Sequence, residues 1–445
     1  MRLPDPNMPR SNKPRLEAAP PARAAALQAL EATLDRRLDV QAALDEVLRN
    51  RNLIPADAAL ASELTYGSLR LGLRIDYLLS KFLRKPEKSP LLFRRILRLA
   101  AYELLYLDRA PAYASVHWAV EAVKRNAGKG LAGAANAVLR RMAELAEAGV
   151  DPEIYREDGC GEVLYLSRFY ACPEWIVALW LKDYGPETAR RLLAEQAAPP
   201  ALGVAVIPGR PETDDLAARL ASHPGLLARQ GLGFALPAGP APEFLASADP
   251  AAWRRQSFAA RQALLSLDPA AWAGPVWDAC AGQGGKTRLL LEAGAGPVLA
   301  TDVHRGRLAR LRDYLADSGA NAMAAAASAL QPPPLRRAPG AVLLDVPCSG
   351  LGVLSRRPDI KWKRRPEDLR RLSNVQSDML ENGLNALKPG GVLAYLTCTV
   401  CRRENESAVE KTLKRRRDVR ETMRFSTSPE ASLGEQFFAS LLQRG

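Results

Sequence analysis

From Pro20 to about Ala148, apolar residues recur at three- and four-residue spacing within alanine-rich segments, which predicts one helix after another. RRILRLAAYELLYL (94–107) shows the pattern most plainly, with Ile96, Leu97, Ala100, Leu104 and Leu107 on one face. Breaks at Ile54-Pro55, Lys85-Pro86, Ser89-Pro90 and Ala110-Pro111 cut the region into a bundle of short helices, because the residue before a proline is pushed out of helical geometry. After about Gln256 the rhythm changes. Short apolar runs (PVWDAC, PVLATD, GAVLLD, GGVLAYLTC) alternate with helical ones (TRLLLEAG, RGRLARLRDYLA, SNVQSDMLENGLNALK). That alternation predicts a parallel sheet covered by helices on both faces, with ligands beyond the carboxyl ends of its strands.

The stretch between these regions is mixed. Helices are predicted at Glu174–Leu181 and Pro186–Gln196, followed by the turn-rich PPALGVAVIPGRP (199–211) and LPAGPAPEF (236–244). The expected organisation is multidomain: a disordered tail over 1–18, an all-α domain over 19–150, a small α+β connecting region over 151–255, and an α/β domain over 256–445. No internal repeat is visible.

Composition narrows the function classes. A net charge of +13 favours a polyanionic partner, since neutralising phosphates releases counterions; plain solubility is the bland alternative. The opening MRLPDPNMPRSNKPR lacks the apolar core of a secretory signal, and no run approaches a membrane span. A cytoplasmic chain with no membrane partner, acting as a monomer, is expected. Six thinly spread cysteines make no disulfide framework, and three histidines build no ligand cluster, so no metal is expected.

Two regions carry candidate chemistry. In DACAGQGGKT (278–287), Gly282, Gly284 and Gly285 allow backbone to approach a ligand, and the following helix start offers unpaired N–H groups. Cys280 stands where a Walker A loop needs glycine, and the spacing does not match a dinucleotide fingerprint. Asp302, ending PVLATD, is placed to accept hydrogen bonds from ribose hydroxyls, although a helix-capping aspartate would read the same. S-adenosylmethionine fits this pair of features, with a nicotinamide dinucleotide as the competitor. The second region is LLDVPCSG (343–350) with AYLTCTVC (394–401). Asp345, Cys348 and Cys398 are predicted at strand ends of one sheet. Buried packing is the commonest fate of a free cysteine, and Cys398 with Cys401 also forms a C-x-x-C redox pattern.

Two thiols and a carboxylate beside a methyl donor suit one reaction in particular. The 5-carbon of cytosine becomes nucleophilic only after a thiolate adds to the 6-carbon, and a base must later remove the 5-proton so that the thiol departs. The basic run with an aromatic among it, Arg357, Lys361, Trp362, Lys363, Arg364 and Arg365, suits single-stranded RNA; a solvated charged face is the plain alternative.

DACAGQGGKT, DVPCSGLGVL, RRPDIKWKRRPEDL, LKPGG, YLTCTVCRRENE and GEQFFASL resemble the motifs of the RNA cytosine-5 methyltransferases. ELTYGSLR, RRILRLAAYELLYL and GAANAVLRRM resemble the NusB-like domain that precedes the catalytic domain in the bacterial RsmB (Sun/Fmu) branch, which methylates 16S ribosomal RNA. LSRFYACPEWIVALWLKDYG resembles the region that connects them. The resemblance implies a Rossmann-like catalytic domain using S-adenosylmethionine, with Cys398 as nucleophile, Cys348 as the thiol that helps release product, and Asp345 at the target base and near the cofactor. It also implies cofactor contacts from Cys280, Ala281, Gly282, Gln283, Gly284, Gly285, Lys286, Asp302 and Ser328.

Four departures stand out. Gly282-Gln283 replaces an Ala-Pro, Ser328 stands where an aspartate is usual, LGVAV (202–206) lacks an Arg and an Asn, and the 404–438 segment is short. They motivate a rival reading, a non-catalytic RNA-binding assembly factor that keeps the enzyme's shell.

Overall fold

The computed structural model describes residues 19–108, 111–428 and 433–445, with the side chains of 157, 158, 317 and 318 left aside. The expected tail and Ala110 lie outside the described residues. The chain forms two compact units divided between Ala171 and Cys172.

The first unit is helical, with major helices Pro21–Leu34, Val40–Arg51, Pro55–Arg70, Gly72–Ser80, Leu91–Tyr106, Ala112–Asn126 and Lys129–Ala148. Proline opens Pro55–Arg70 at the position where its missing N–H costs nothing, as the Ile54-Pro55 break implies. In Leu91–Tyr106, Phe93, Ile96, Leu97 and Ala100 are buried, whereas Leu104 and Leu107 are only half-buried. Glu103 is fully buried instead. Its carboxylate accepts from Arg23 Nε at 2.9 Å, Ser115 Oγ at 2.7 Å and Trp118 Nε1 at 3.1 Å, so three helices share one satisfied buried charge. Hydrophobic periodicity cannot reveal a polar hub of this kind.

Residues 151–171, read from sequence as the start of the connecting region, pack on this helical unit. Tyr77 Oη donates to Ile154 O at 2.8 Å and Arg74 Nε to Phe169 O at 2.6 Å. The division therefore falls about twenty residues later than the composition shift suggested.

The second unit opens with Glu174–Ala197, in which Gly185 takes φ +78° ahead of Pro186 and separates the two predicted helices. A small antiparallel sheet follows, from β1 (Leu202–Val206), β2 (Ala228–Gln230), β3 (Gly233–Leu236) and β4 (Trp253–Arg255), in the order β2-β3-β1-β4. LGVAV is β1, buried along its whole length.

The main sheet comprises β5 (Val276–Asp278), β6 (Val298–Asp302), β7 (Ala322–Ala326), β8 (Ala341–Asp345), β9 (Val392–Thr397), β10 (Val419–Ser426) and β11 (Phe438–Arg444), ordered β10-β11-β9-β8-β5-β6-β7. Strands β5 to β9 are parallel, as their near-continuous apolar runs predict. The expectation of a wholly parallel sheet fails at one edge, where β11 runs antiparallel to β9 and β10 antiparallel to β11. The short 404–438 segment contributes a helix, Glu406–Arg415, and β10 of this edge. VRETMRFS is polar and largely exposed, the composition of an edge strand rather than of a buried parallel one.

The predicted helices appear as Gly285–Glu292, Arg305–Ser318 and Pro366–Ala386. Strand order then decides the site. Successive carboxyl ends along β9, β8, β5 and β6 carry Cys398, Asp345, Asp278 and Asp302 in one row. Trp180, fully buried, donates from Nε1 to Val400 O at 2.9 Å and ties Glu174–Ala197 to the loop after β9.

Trp180→Phe should cost about 1 kcal/mol by losing that bond, and Trp180→Ala about 3–5 kcal/mol by also opening a cavity. Urea unfolding that shows equal losses for the two variants would remove the hydrogen bond and the packing from this account.

Candidate active site

Strands β8 and β9 are parallel neighbours, with Asp345 opposite Leu396. The residues that follow each strand therefore emerge side by side, and Cys348 Sγ comes to 3.3 Å from Cys398 Sγ. The Cys398 amide also donates to Cys348 Sγ at 3.4 Å. The two sulfurs are not equivalent. The contact with Cys348 lowers the pKa of Cys398; burial and the Asp345 carboxylate oppose this, and the cations of Lys286 and Arg357 assist it. Cys348 is pushed well above the ordinary thiol range by the same contact and by burial. Of the pair, Cys398 is the more acidic sulfur.

Cys401, the other half of the C-x-x-C pattern, is buried, and burial raises it to about 12. The sulfur partner of Cys398 is therefore Cys348, and the cysteines of the described residues are free thiols.

What holds the two loops together is an acid in YLTCTVCRRENE to which no sequence pattern assigns a role. Glu404 is fully buried. Its carboxylate accepts from Ser349 N at 2.9 Å, from Ser349 Oγ, from Gln376 Nε2 at 2.9 Å and from Thr399 Oγ1 at 3.3 Å. Ser349 adjoins Cys348 and Thr399 adjoins Cys398, and their hydroxyls lie 2.6 Å apart. Gly352 closes the junction from below. Its N–H meets Cys398 O at 3.1 Å, and a Cβ there would lie 2.3 Å from Gln436 O.

On the other side of the row is a cavity of about 670 Å³, lined by Cys280, Ala281, Gly282, Gln283, Gly285, Lys286, Asp302, Ser328 and Asp345 among others. Gly282 (φ +57°) and Gly284 (φ +86°) shape the loop. A Cβ on Gly284 would strike Leu311 at 2.4 Å, whereas Gly282 and Gly285 face open space where a ligand can approach. Asp302 accepts from Gly282 N at 3.0 Å and His304 N at 2.7 Å, so it builds the loop as well as lining the cavity. Gln283, where proline would stiffen the turn, accepts instead from Arg310 Nη1 at 3.0 Å and is tethered to the next helix. Ser328 Oγ accepts from Leu330 N at 3.2 Å and caps its own turn. Asp345 pairs with Lys286 at 2.6 Å, and its side chain stays 32% exposed. Asp278 lies beneath them, fully buried, bonded to Thr287 Oγ1 at 2.6 Å and pushed up to about 7 by burial.

The basic run beside Cys348 is not a uniformly solvated face. Lys361 is buried. Lys363 pairs with Asp359 at 2.6 Å, and Trp362 is half-buried. Arg364 donates to Ser349 O at 3.1 Å and Cys348 O at 3.2 Å, bracing the thiol loop. Arg357 and Arg365 are the exposed members. Among the described residues, no group of three or more His, Cys, Asp or Glu is placed to hold a metal ion, and no helix is long and apolar enough to cross a membrane.

Residues 264–443 match the 16S rRNA methyltransferase RsmB/F family and residues 20–144 the NusB family. A Synechocystis protein named "Probable ribosomal RNA small subunit methyltransferase B" is 31% identical over 402 residues, covering 87% of this chain and 88% of that one. The chain belongs to the RsmB/F family of 16S rRNA methyltransferases. A Vibrio cholerae protein named "Ribosomal RNA small subunit methyltransferase B" is 30% identical over 412 residues, 89% of this chain and 90% of its own. The crystal structure of PH0851 shares the fold at a TM-score of 0.74, with 20% identity over 96% of this chain and 99% of that chain.

RsmB/F membership makes rRNA the substrate and implies a methyl donor of the S-adenosylmethionine type. The residues present fit such a donor. Glycine positions open onto the cavity, a helix begins at Gly285, and a buried acid stands beside the loop.

Removing the Cys348 thiol should shift the pH at which Cys398 is alkylated by iodoacetamide upward, because the contact with Cys348 is the largest influence lowering Cys398. An unmoved alkylation profile in Cys348→Ala would show that the sulfur contact does not tune Cys398. Glu404→Ala should destabilise the second unit by about 3 kcal/mol, the scale for stranding several donors of a buried carboxylate, and should separate the two sulfurs. Urea unfolding and the rate of oxidative Cys348–Cys398 cross-linking measure the two effects, and unchanged cross-linking would refute the brace.

Proposed function

We propose that this enzyme methylates the 5-carbon of a cytosine in 16S rRNA, using S-adenosylmethionine and a covalent Cys398–RNA intermediate. The observation that carries the reading is the 3.3 Å sulfur pair with opposite protonation tendencies at the end of the row shared with Asp345. A redox pair would not need Asp345, Lys286 and a glycine-lined cavity beside it, and the non-catalytic reading would leave the lowered thiol without a purpose.

S-adenosylmethionine bound in the cavity supplies an electrophilic methyl carbon. Gly282 and Gly285 let backbone approach it, and Asp302 is the acid at hand for ribose hydroxyls. The chain's own chemistry begins with the Cys398 thiolate adding to the 6-carbon of the cytosine. The carbon–sulfur bond that forms pushes the ring π electrons toward the 5-carbon, which gains enamine character. Asp345 is the polar group for the ring's N3 edge and passes it a proton from the paired Lys286 ammonium, which neutralises the negative charge as the sulfur adds and is taken back when the sulfur leaves. Once the 5-carbon carries the methyl group, its proton must leave. The electrons of that C–H bond restore the 5,6 double bond, and the Cys398 sulfur departs as thiolate. Water takes the 5-proton, while Cys348, 3.3 Å away and keeping its own proton, donates its S–H to the returning Cys398 thiolate. The target base must be unstacked for its 6-carbon to be reached, which suits a flipped or single-stranded cytosine. Arg365 is the exposed member of the basic run for its phosphates, and Arg357, exposed as well, also pairs with Asp359 at 3.9 Å.

Cys398→Ala should give no adduct and no 5-methylcytosine on unmodified 16S rRNA, whereas Cys348→Ala should accumulate RNA bound to Cys398 that survives a denaturing gel. Swapped phenotypes would make Cys348 the nucleophile, and adduct in neither would overturn the covalent mechanism. Asp302→Asn should weaken S-adenosylmethionine binding by about 1.5–3 kcal/mol, the scale of a hydrogen bond to a charged group, read by calorimetry. Unchanged affinity in that variant would take Asp302 out of the donor site.

A further inference from the structure

We propose that the arginines around the cofactor cavity, Arg254, Arg255, Arg288, Arg307 and Arg310, form a phosphodiester-binding rim that grips the substrate strand beside the inserted base. The proposal rests on the reading of the substrate as rRNA.

All five residues line the cavity, yet they come from three separate elements: β4, the helix Gly285–Glu292 and the helix Arg305–Ser318. Arg255, Arg307 and Arg310 are exposed, and Arg254 and Arg288 are half-buried. The acids that line the same cavity are Asp302 and Asp345, and both are engaged, by two backbone amides and by Lys286 respectively. Nearby Glu292 reaches Arg254 at 2.6 Å and Arg261 at 3.7 Å, so one carboxylate answers two guanidinium groups. Arg288 stacks over Tyr314 at 4.0 Å rather than on an acid, and after burial the largest influence disfavouring its charge is Arg254. Like charges crowded at a cavity wall raise the folding free energy unless an anion joins them.

The number and spread of the guanidinium groups identify that anion. A donor of the S-adenosylmethionine type carries one carboxylate, which one or two guanidinium groups would satisfy. Five spread over three elements match the repeated charges of a polynucleotide backbone, for which the planar guanidinium is well suited. Steric logic agrees. A flipped base can enter a cavity of this size, but the hydrated, charged phosphates on either side of it stay at the mouth, where these side chains are. This rim is distinct from the basic run at 356–365, where Lys361, Lys363 and Arg364 are directed into the protein's own structure.

The test uses the full chain and an unmodified 16S rRNA transcript, with binding measured across a potassium chloride series. Arg255→Ala with Arg307→Ala removes two exposed charges. Two lost phosphate contacts should lower RNA affinity roughly 15- to 30-fold at 0.15 M salt and flatten the log–log salt slope by about 1.4–1.8. The affinity for S-adenosylhomocysteine, measured by calorimetry, should not move, and the matching pair of lysine substitutions should keep most of the slope. Unchanged RNA affinity and slope would overturn the rim. Weakened S-adenosylhomocysteine binding with an unchanged RNA slope would overturn it too, by assigning these arginines to the donor. The salt slope does not depend on which atom is methylated. A wild-type enzyme that shows the rim's slope but makes no 5-methylcytosine would therefore refute the chemistry proposed above and leave the rim standing.

Discussion

A buried carboxylate with four donors holds the candidate active site in register. Glu404 takes hydrogen bonds from both loops that carry the paired sulfurs of Cys348 and Cys398 and from Gln376 of the helix Pro366–Ala386. Its oxygens are out of water, so any movement of either loop would strand a donor or an acceptor where solvent cannot replace it. Tyr395 Oη donates to the Glu404 carbonyl at 2.6 Å and Asn405 Nδ2 to Thr399 O at 2.9 Å, so the main chain around Glu404 is fixed as well. Two thiols at 3.3 Å need such a frame, because a displacement of one ångström would end the hydrogen bond that sets their unequal acidities.

The parallel sheet supplies what that frame cannot. Adjacent strands deliver Cys398, Asp345, Asp278 and Asp302 to one rim, and the acids and the lysine there stabilise one another's placement. Asp302 and Gln283 show how a loop that departs from its family's pattern can still be held. One oxygen of Asp302 receives the Gly282 amide, and Gln283 is fastened to Arg310, so hydrogen bonds do the stiffening that a proline ring would otherwise do. The substitutions in this glycine loop that motivated a non-catalytic reading are compatible with a built site.

Charge is divided between two jobs. Part of the chain's positive balance is structural. Arg364 braces the Cys348 loop, Lys363 satisfies a buried Asp359, and Arg23 satisfies Glu103 in the helical unit. The remainder, gathered at the cavity mouth, has few acids to answer it. Composition reports the sum of these and cannot separate them.

The sequence by itself determined the class of each region, because hydrophobic period is a local property: the helical rhythm of 20–148 and the alternation after 256 each reflect the face an element must bury. Motif residues at strand ends were legible for the same reason, since DVPCSG and LTCT mark where apolar runs stop. Tertiary structure alone decided the rest. The antiparallel edge of β10 and β11 depends on long-range pairing with β9, to which a polar strand such as VRETMRFS gives no local clue. Glu103 and Glu404 look like surface residues in the sequence, and become hubs only because distant donors converge on them. The same holds for the basic run at 356–365, whose side chains find their partners across the fold. Polar function is set by three-dimensional satisfaction, which a one-dimensional pattern does not encode.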